Sequence, residues 1–331
     1  MLFDGIGPAG QARLAESSVV IVGCGALGTT QAEILSRAGI GKLTLIDRDF
    51  VESSNLQRQV MFTEQDAEDR LPKAVACANH IAQINSAIKV EPVVADINNS
   101  NVERLVNGAD LVVDGTDNFV TRYLINDACV KLGISWIYGA AVGSYGATMS
   151  VRPTLTPCLR CVFEEQPAPG TTPTCDTAGV IMPIISIVAA TQCTEAIKIL
   201  LGKYDLLHNS LMQFDVWQNE WRRIRLGNPA DNCPACVRRD YRFLNAELED
   251  FAGVLCGRDA VQITPKPGPG IELNALAERL RGIGEVRSND YLLRFQVGNH
   301  ELTIFRDARA IIRGTTEIGL ARSLYARYVG S

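Results

Sequence analysis

Short β-branched apolar runs alternate with stretches of helical spacing through the first part of the chain. Val19–Val22 reads as a buried parallel strand, Ala26–Ala38 as a helix, and Leu43–Ile46 as a second strand. Pro72–Ile84 is helical, with Ala74, Cys77, Ala78 and Ile81 on one face. Val90–Val94 and Leu111–Val113 follow as strands, with helices expected over Asn101–Val106 and Thr121–Leu132. This order predicts an α/β fold, a doubly wound Rossmann-like sheet with helices on both faces.

The rhythm changes after Trp136. Ala147–Val151, Ser210–Phe214 and Arg222–Leu226 read as strands without short helices between them, so antiparallel strands are expected to extend the parallel half. Phe163–Pro183 is rich in Pro, Gly and Thr and reads as an exposed crossing loop. Val180–Leu201 is the longest apolar run. It carries Pro183, Gln192, Glu195 and Lys198, which suits a buried core helix rather than a membrane span. From about Leu244 the composition restarts, and Ile263–Gly270 (ITPKPGPG) reads as a stiff connector. A strand, a helix over Leu273–Arg281, strands over Tyr291–Val297, Glu301–Phe305 and Ala310–Arg313, and a helix over Ile318–Tyr328 complete a small α+β module. Two domains are expected, residues 1–243 and 244–331.

Composition adds exclusions. Apolar residues make up 47% and charged residues 21% of 331, as in ordinary globular proteins. The net charge is −5 and no block of like charges stands out, so neither nucleic acid nor an anionic membrane is an expected partner. The start, Met1-Leu2-Phe3-Asp4-Gly5, lacks a basic-then-apolar leader pattern, and a cytoplasmic chain is expected. In that reducing setting the ten cysteines are not a disulfide framework. Cys24, Cys77, Cys129 and Cys193 sit in apolar contexts and read as core packing. The three histidines are far apart and read as structural.

Candidate chemistry gathers in three places. Gly23-Cys24-Gly25-Ala26-Leu27-Gly28 is a GxGxxG turn directly after a strand and opening a helix, a setting that brings backbone N–H groups up to phosphate. Asp47 ends the next strand, where an acid accepts hydrogen bonds from ribose hydroxyls. Ser54-Asn55-Leu56-Gln57-Arg58-Gln59 and Leu71-Pro72-Lys73 follow, and an arginine and a lysine near a glycine loop suit a triphosphate. Asp114-Gly115-Thr116-Asp117-Asn118 ends a strand at the same sheet edge. An aspartate there can hold Mg²⁺, or Asp117 can cap a helix.

Cys158-x-x-Cys161 and Cys233-x-x-Cys236 together offer four thiolates, the donor set of a closed structural zinc site. Cys175 lies in the crossing loop beside Asp176 and is the cysteine most exposed to chemistry.

Taken in order, GCGALG, LTLIDRD, SNLQRQ, a helix opening with PK, DGTDN, CLRC, TCDTAGVIMP and CPAC resemble the ThiF/MoeB family, bacterial relatives of ubiquitin-activating enzymes. The resemblance runs from about Gly7 to Cys236. It implies an adenylyltransferase, most like the ThiF branch and usually a homodimer. Its expected substrate is a ubiquitin-like sulfur carrier ending in Gly-Gly, either ThiS-like or MoaD-like, and a separate protein supplies sulfur. It further implies that Gly23, Gly25 and Gly28 form the ATP loop and Asp47 binds ribose. Asn55, Arg58, Gln59 and Lys73 face the phosphates, Asp117 serves Mg²⁺, and the four paired cysteines hold Zn²⁺. Cys175 matches a loop cysteine that handles the activated carrier.

Family members usually begin with an Arg-Tyr-x-Arg-Gln segment, which this sequence lacks at its start; Arg13 does not match it. Two other readings stay open: a nicotinamide-dependent oxidoreductase built on the glycine turn, and a nucleotide-binding scaffold without catalysis.

Overall fold

In the computed structural model the apolar runs of the first unit line up as one eight-stranded sheet. The residues described are 3–167, 178–245, 251–255, 259–266, 268 and 270–330. They divide into two compact units, Met1–Ala246 and Glu247–Ser331.

The first unit opens with α1 (Gly7–Glu16), β1 (Ser18–Val22), α2 (Ala26–Ala38) and β2 (Lys42–Asp47). Next come α3 (Glu64–Glu68), α4 (Lys73–Ile84), β3 (Lys89–Val94), α5 (Val102–Val106), β4 (Leu111–Asp114) and α6 (Phe119–Leu132). The remainder is β5 (Trp136–Val142), β6 (Tyr145–Val151), α7 (Leu159–Val162), α8 (Met182–Leu200), β7 (Ser210–Asp215) and β8 (Glu220–Arg225). The strand order is β3-β2-β1-β4-β5-β6-β7-β8. The first five strands pair in parallel, and β6, β7 and β8 are added antiparallel, as the change of rhythm implied. The order reverses between β1 and β4, and ligands of such sheets lie outside the carboxyl ends of the strands at that switch.

Strand β5 escapes the sequence reading because its second half is Gly139-Ala140-Ala141, too small to look like a strand. The reason is packing: a Cβ on Gly139 would lie 2.4 Å from the Gln192 side chain. Gln192 belongs to α8, which packs on α2, β5 and β6. Its amide donates to the Asp114 and Ile137 carbonyls at 2.9 and 3.2 Å. Among the described residues α8 is a helix long and apolar enough to cross a membrane. Here one face of it, including Ile184, Val188, Ala196 and Leu200 together with Gln192 and Glu195, is buried.

The second unit comprises β9 (Phe251–Leu255), β10 (Ala260–Thr264), α9 (Leu273–Leu280), β11 (Glu285–Ser288), β12 (Leu292–Val297), β13 (His300–Phe305), β14 (Ala310–Arg313) and α10 (Ile318–Tyr328). Its sheet, β11-β12-β13-β14-β10-β9, is antiparallel throughout. Leu276 and Leu280 of α9 and Tyr325 of α10 share a core with Val261, Phe295, Leu302 and Ile312. One expectation needs correction, and one strand was missed. Ile263 and Thr264 do not open the connector; they end β10. The polar, exposed β11 was not recognised because Glu-Val-Arg-Ser offers a single apolar residue.

Candidate active site

The carboxyl edge of β1 and β4 is made by glycines packed backbone to backbone. Gly23 adopts a left-handed φ of +91°, and its N–H donates to the Ile46 carbonyl at 2.7 Å. A Cβ on Gly28 would lie 1.8 Å from the Gly23 carbonyl oxygen, and one on Gly115 would lie 2.6 Å from it. No side chain larger than hydrogen fits either place without moving the loop. A Cβ on Gly25 would meet nothing within 4 Å. Gly25 is the N-cap of α2 and has no side chain to occupy the first backbone N–H groups of that helix. Neighbouring Cys24 is buried, and a hydrogen bond that its thiol donates to Cys77, together with burial, pushes its pKa up, which suits core packing rather than chemistry.

Asp47 ends β2 and is bound into this turn. Its carboxylate accepts from the Cys24 N–H at 2.6 Å and from the Asp49 N–H at 2.7 Å. Burial raises its pKa, and Lys73 acts against that shift, so the lysine stands within electrostatic reach. Local backbone pairing explains why. Phe50 and Pro72 form an antiparallel bridge, and Lys73 N–H donates to the Asp49 carbonyl at 2.9 Å. The buried Lys73 ammonium lies 3.4 Å from Asp49 Oδ2. In the intervening turn Asn55 is buried and its Oδ1 accepts from Arg58 Nη2 at 2.8 Å. Gln59 is buried in the same turn, and its Oε1 has no hydrogen-bond partner among the described residues.

The two aspartates of DGTDN have opposite surroundings. Asp114 is fully buried. It accepts from the Thr116 N–H and hydroxyl at 2.9 and 2.6 Å and pairs with Arg122 Nε at 3.2 Å. Burial raises its pKa, with Arg122 the strongest opposing influence. Arg122 Nη2 also donates to the Thr116 carbonyl at 2.7 Å, so the pair shapes the loop. Asp117, by contrast, is exposed. It does not cap α6: that place is taken by Asn118, whose Oδ1 accepts from Thr121 N–H at 2.9 Å. The Asp117 carboxylate is therefore not consumed as a cap.

Arg48 ties these places together. Partial burial works to lower its pKa, but Asp96, Asp49, Asp117 and Asp47 outweigh this and raise it. The carboxyl edge thus brings together the glycine turn, Asp47 and Lys73, with Asp117 within electrostatic reach of Arg48, while the Asn55–Arg58–Gln59 turn lies on the chain between Asp47 and Lys73, with Arg58 bonded locally to Asn55. Cys175 lies outside the described residues. Arg13 is elsewhere, donating to the Leu201 carbonyl at 3.3 Å.

The four paired cysteines form a separate group. Their sulfurs all lie within 4.8 Å of one another. Cys158 and Cys233 are 3.5 Å apart, Cys161 and Cys236 3.4 Å, and Cys158 and Cys161 3.8 Å. Tetrahedral zinc with Zn–S bonds of about 2.3 Å needs sulfurs about 3.8 Å apart. The donor set and spacing fit that ion with small outward adjustment, and four protein ligands leave no open position. Helix α6 supports the group. Asn126 Oδ1 accepts from Leu159 N–H at 2.9 Å, and Asp127 accepts from Phe243 N–H at 3.2 Å. Buried Arg160 bonds the Asp240 carbonyl at 2.8 Å and lies 3.8 Å from Asp127. Sequence reasoning overlooked Arg122, Asn126 and Arg160; the available signal was buried polar residues among the apolar positions of α6 and α7.

Comparison with known proteins fits this geometry. The profile of the ThiF family matches residues 1–235. The sulfur carrier protein ThiS adenylyltransferase of Bacillus subtilis (strain 168) is 45% identical over 331 residues, covering 99% of this chain and 97% of its own. The SAMP-activating enzyme E1 of Haloferax volcanii is 41% identical over 71% of this chain and 86% of its own. The sulfur carrier protein adenylyltransferase of Thermus thermophilus is 36% identical over 77% and 94%. Among solved structures, E. coli MccB with ATP aligns at a TM-score of 0.60 and 25% identity over 68% of both chains.

Proposed function

The chain belongs to the ThiF family and is an adenylyltransferase, and from that premise we propose that it adenylates the C-terminal glycine of a ThiS-like sulfur carrier. The observation that carries this choice of carrier is the extent of the match. The Bacillus ThiS adenylyltransferase is similar across both units, whereas the Haloferax and Thermus relatives cover 71% and 77% of the chain. The product would serve thiazole formation in thiamin biosynthesis.

In this reading ATP lies at the switch between β1 and β4. The amides around Gly23, Gly25 and Gly28 receive phosphate, and Asp47 receives the ribose hydroxyls. A carboxylate oxygen of the carrier's terminal glycine attacks the α-phosphorus. The bond from that phosphorus to its bridging oxygen breaks, and pyrophosphate leaves with the electron pair. No base is needed, because a carboxylate with a pKa of about 3.5 is ionised at neutral pH. Catalysis is then alignment and charge neutralisation. Arg58 is aimed by Asn55, and Lys73 is held against Asp49 until a phosphate competes for it. Gln59 Oε1 lacks a partner among the described residues, which suits a site completed by a ligand. Asp117 would hold Mg²⁺, which supplies further neutralisation of the phosphates when bound.

The four cysteines would hold zinc as a structural clamp. A homodimer, a separate sulfur donor, a cytoplasmic setting and a role for Cys175 in handling the activated carrier complete the proposal, the last resting on the family resemblance alone. Pyrophosphate–ATP exchange tests it, with ThiS-type and MoaD-type carriers ending in Gly-Gly supplied one at a time. Exchange with the ThiS type is expected. Exchange with the MoaD type alone would move the enzyme to molybdenum cofactor synthesis, and exchange with neither would overturn carrier activation.

A further inference from the structure

Arg48 directly follows the ribose-binding position at the carboxyl end of β2, and its side chain is built into place. Nη1 meets both Asp96 oxygens at 3.2 and 3.3 Å, and Nε lies 3.9 Å from Asp49. Asp96 is itself fixed, since its carbonyl accepts from Asn98 Nδ2 at 3.2 Å and Asn101 Nδ2 at 2.9 Å. About a third of the Arg48 side chain, 36%, stays exposed, while its guanidinium is anchored by the two aspartates.

A nucleotide with phosphates at the glycine turn and ribose at Asp47 sends its base outward past β2, away from β4 and toward β3. Arg48 and Asp96 stand on that side of the sheet, after β2 and β3. A planar, delocalised cation stacks well on a purine face. Two neighbouring carboxylates already compensate its charge, which suits a flat platform better than a phosphate clamp.

We propose that Arg48, oriented by Asp96, is a specificity-determining residue that forms the wall of the nucleotide site against the adenine base; this rests on the adenylyltransferase reading. The base is selected by stacking on the guanidinium plane, while the phosphates are held elsewhere. Asp96 acts through Arg48 as a positioning residue.

Titration calorimetry with ATP and with inorganic tripolyphosphate separates the two ends of the ligand. For Arg48→Ala the expected result is about tenfold weaker ATP binding, with tripolyphosphate binding changed by less than about twofold. Arg48→Lys keeps the charge but loses the plane and is expected to show the same split, as is Asp96→Asn to a smaller degree. Equal weakening toward both ligands would make Arg48 a phosphate residue and overturn the proposal, and so would unchanged ATP affinity. Should Arg48→Ala not fold, the Arg48→Lys and Asp96→Asn titrations decide the same question. Failure of the unaltered protein to bind ATP would overturn the nucleotide reading itself, an outcome visible before any variant is made.

Discussion

The nucleotide edge and the cysteine clamp both lean on α6, yet they are built on opposite plans. At the edge, glycine backbones pack with no room for a Cβ, and the charged groups stay partly open or paired with one another. At the clamp, four sulfurs crowd within 4.8 Å, and the polar groups around them close on backbone atoms. In the proposed reading the first arrangement would receive a ligand whose charge replaces the internal pairs. The second would be completed by a metal and would then have nothing left to bind. One helix serves both: Asn118 and Arg122 shape the loop at its start, and Asn126 and Asp127 hold the clamp further along.

The comparison breaks most visibly at the clamp. Replacing a ligand, as in Cys233→Ser, is expected to remove bound zinc and to cost more than about 4 kcal/mol of stability. Metal analysis and denaturant unfolding read this out. Full stability with no metal would mean that the clamp closes nothing.

Arg122→Ala strikes the shared helix on the nucleotide side. It leaves Asp114 buried without its counter-charge and is expected to cost about 3 kcal/mol, the lower end for breaking a buried pair. Zinc content should be unchanged, because Arg122 bonds Asp114 and the Thr116 carbonyl while the clamp rests on Asn126, Asp127 and Arg160; loss of zinc would show that the two regions are not separable.

Asp127 gives a pH test of the clamp side. Burial pushes its carboxyl up to about 6, against the Phe243 N–H and Arg160. An unfolded aspartate titrates at about 3.9, so the folded chain binds the extra proton between these values. Stability contributed by this group is therefore fully present below about pH 4 and is lost as pH rises through about 6. Asp127→Asn should flatten that slope, which spans at most about 2 to 3 kcal/mol, in unfolding curves taken from acid to neutral pH. A slope unaffected by the substitution would mean that Asp127 titrates normally.

The smallest stability effect belongs to the residue given the largest chemical role. Asp117 is exposed, and Asp117→Ala should shift stability by no more than about 0.5 kcal/mol while abolishing pyrophosphate exchange. A stability loss as large as that of Arg122→Ala would recast Asp117 as a structural group.

Much of the first unit was legible because its signals are local. Strand runs such as Val19–Val22 and the glycine turn announce themselves within a few residues, and the change to antiparallel strands followed from missing helices. The cysteine group was legible because two CxxC pairs specify their own chemistry across any separation. What stayed hidden was set by long-range packing. Nothing near Gly139 in sequence reports the Gln192 side chain that keeps it small. The different fates of Asp114 and Asp117, three residues apart, depend on Arg122 and on burial beside β5. Arg48 was visible only as part of LTLIDRD, because its partner Asp96 comes from the loop after β3.

The most direct test of adenylation at the β1–β4 edge is mass spectrometry of a ThiS-type carrier after incubation with enzyme, ATP and Mg²⁺. The account predicts a carrier heavier by one adenylate, in a bond that hydroxylamine cleaves, with none formed by Asp117→Ala. An unmodified carrier, or an adenylate that persists with Asp117→Ala, would contradict it.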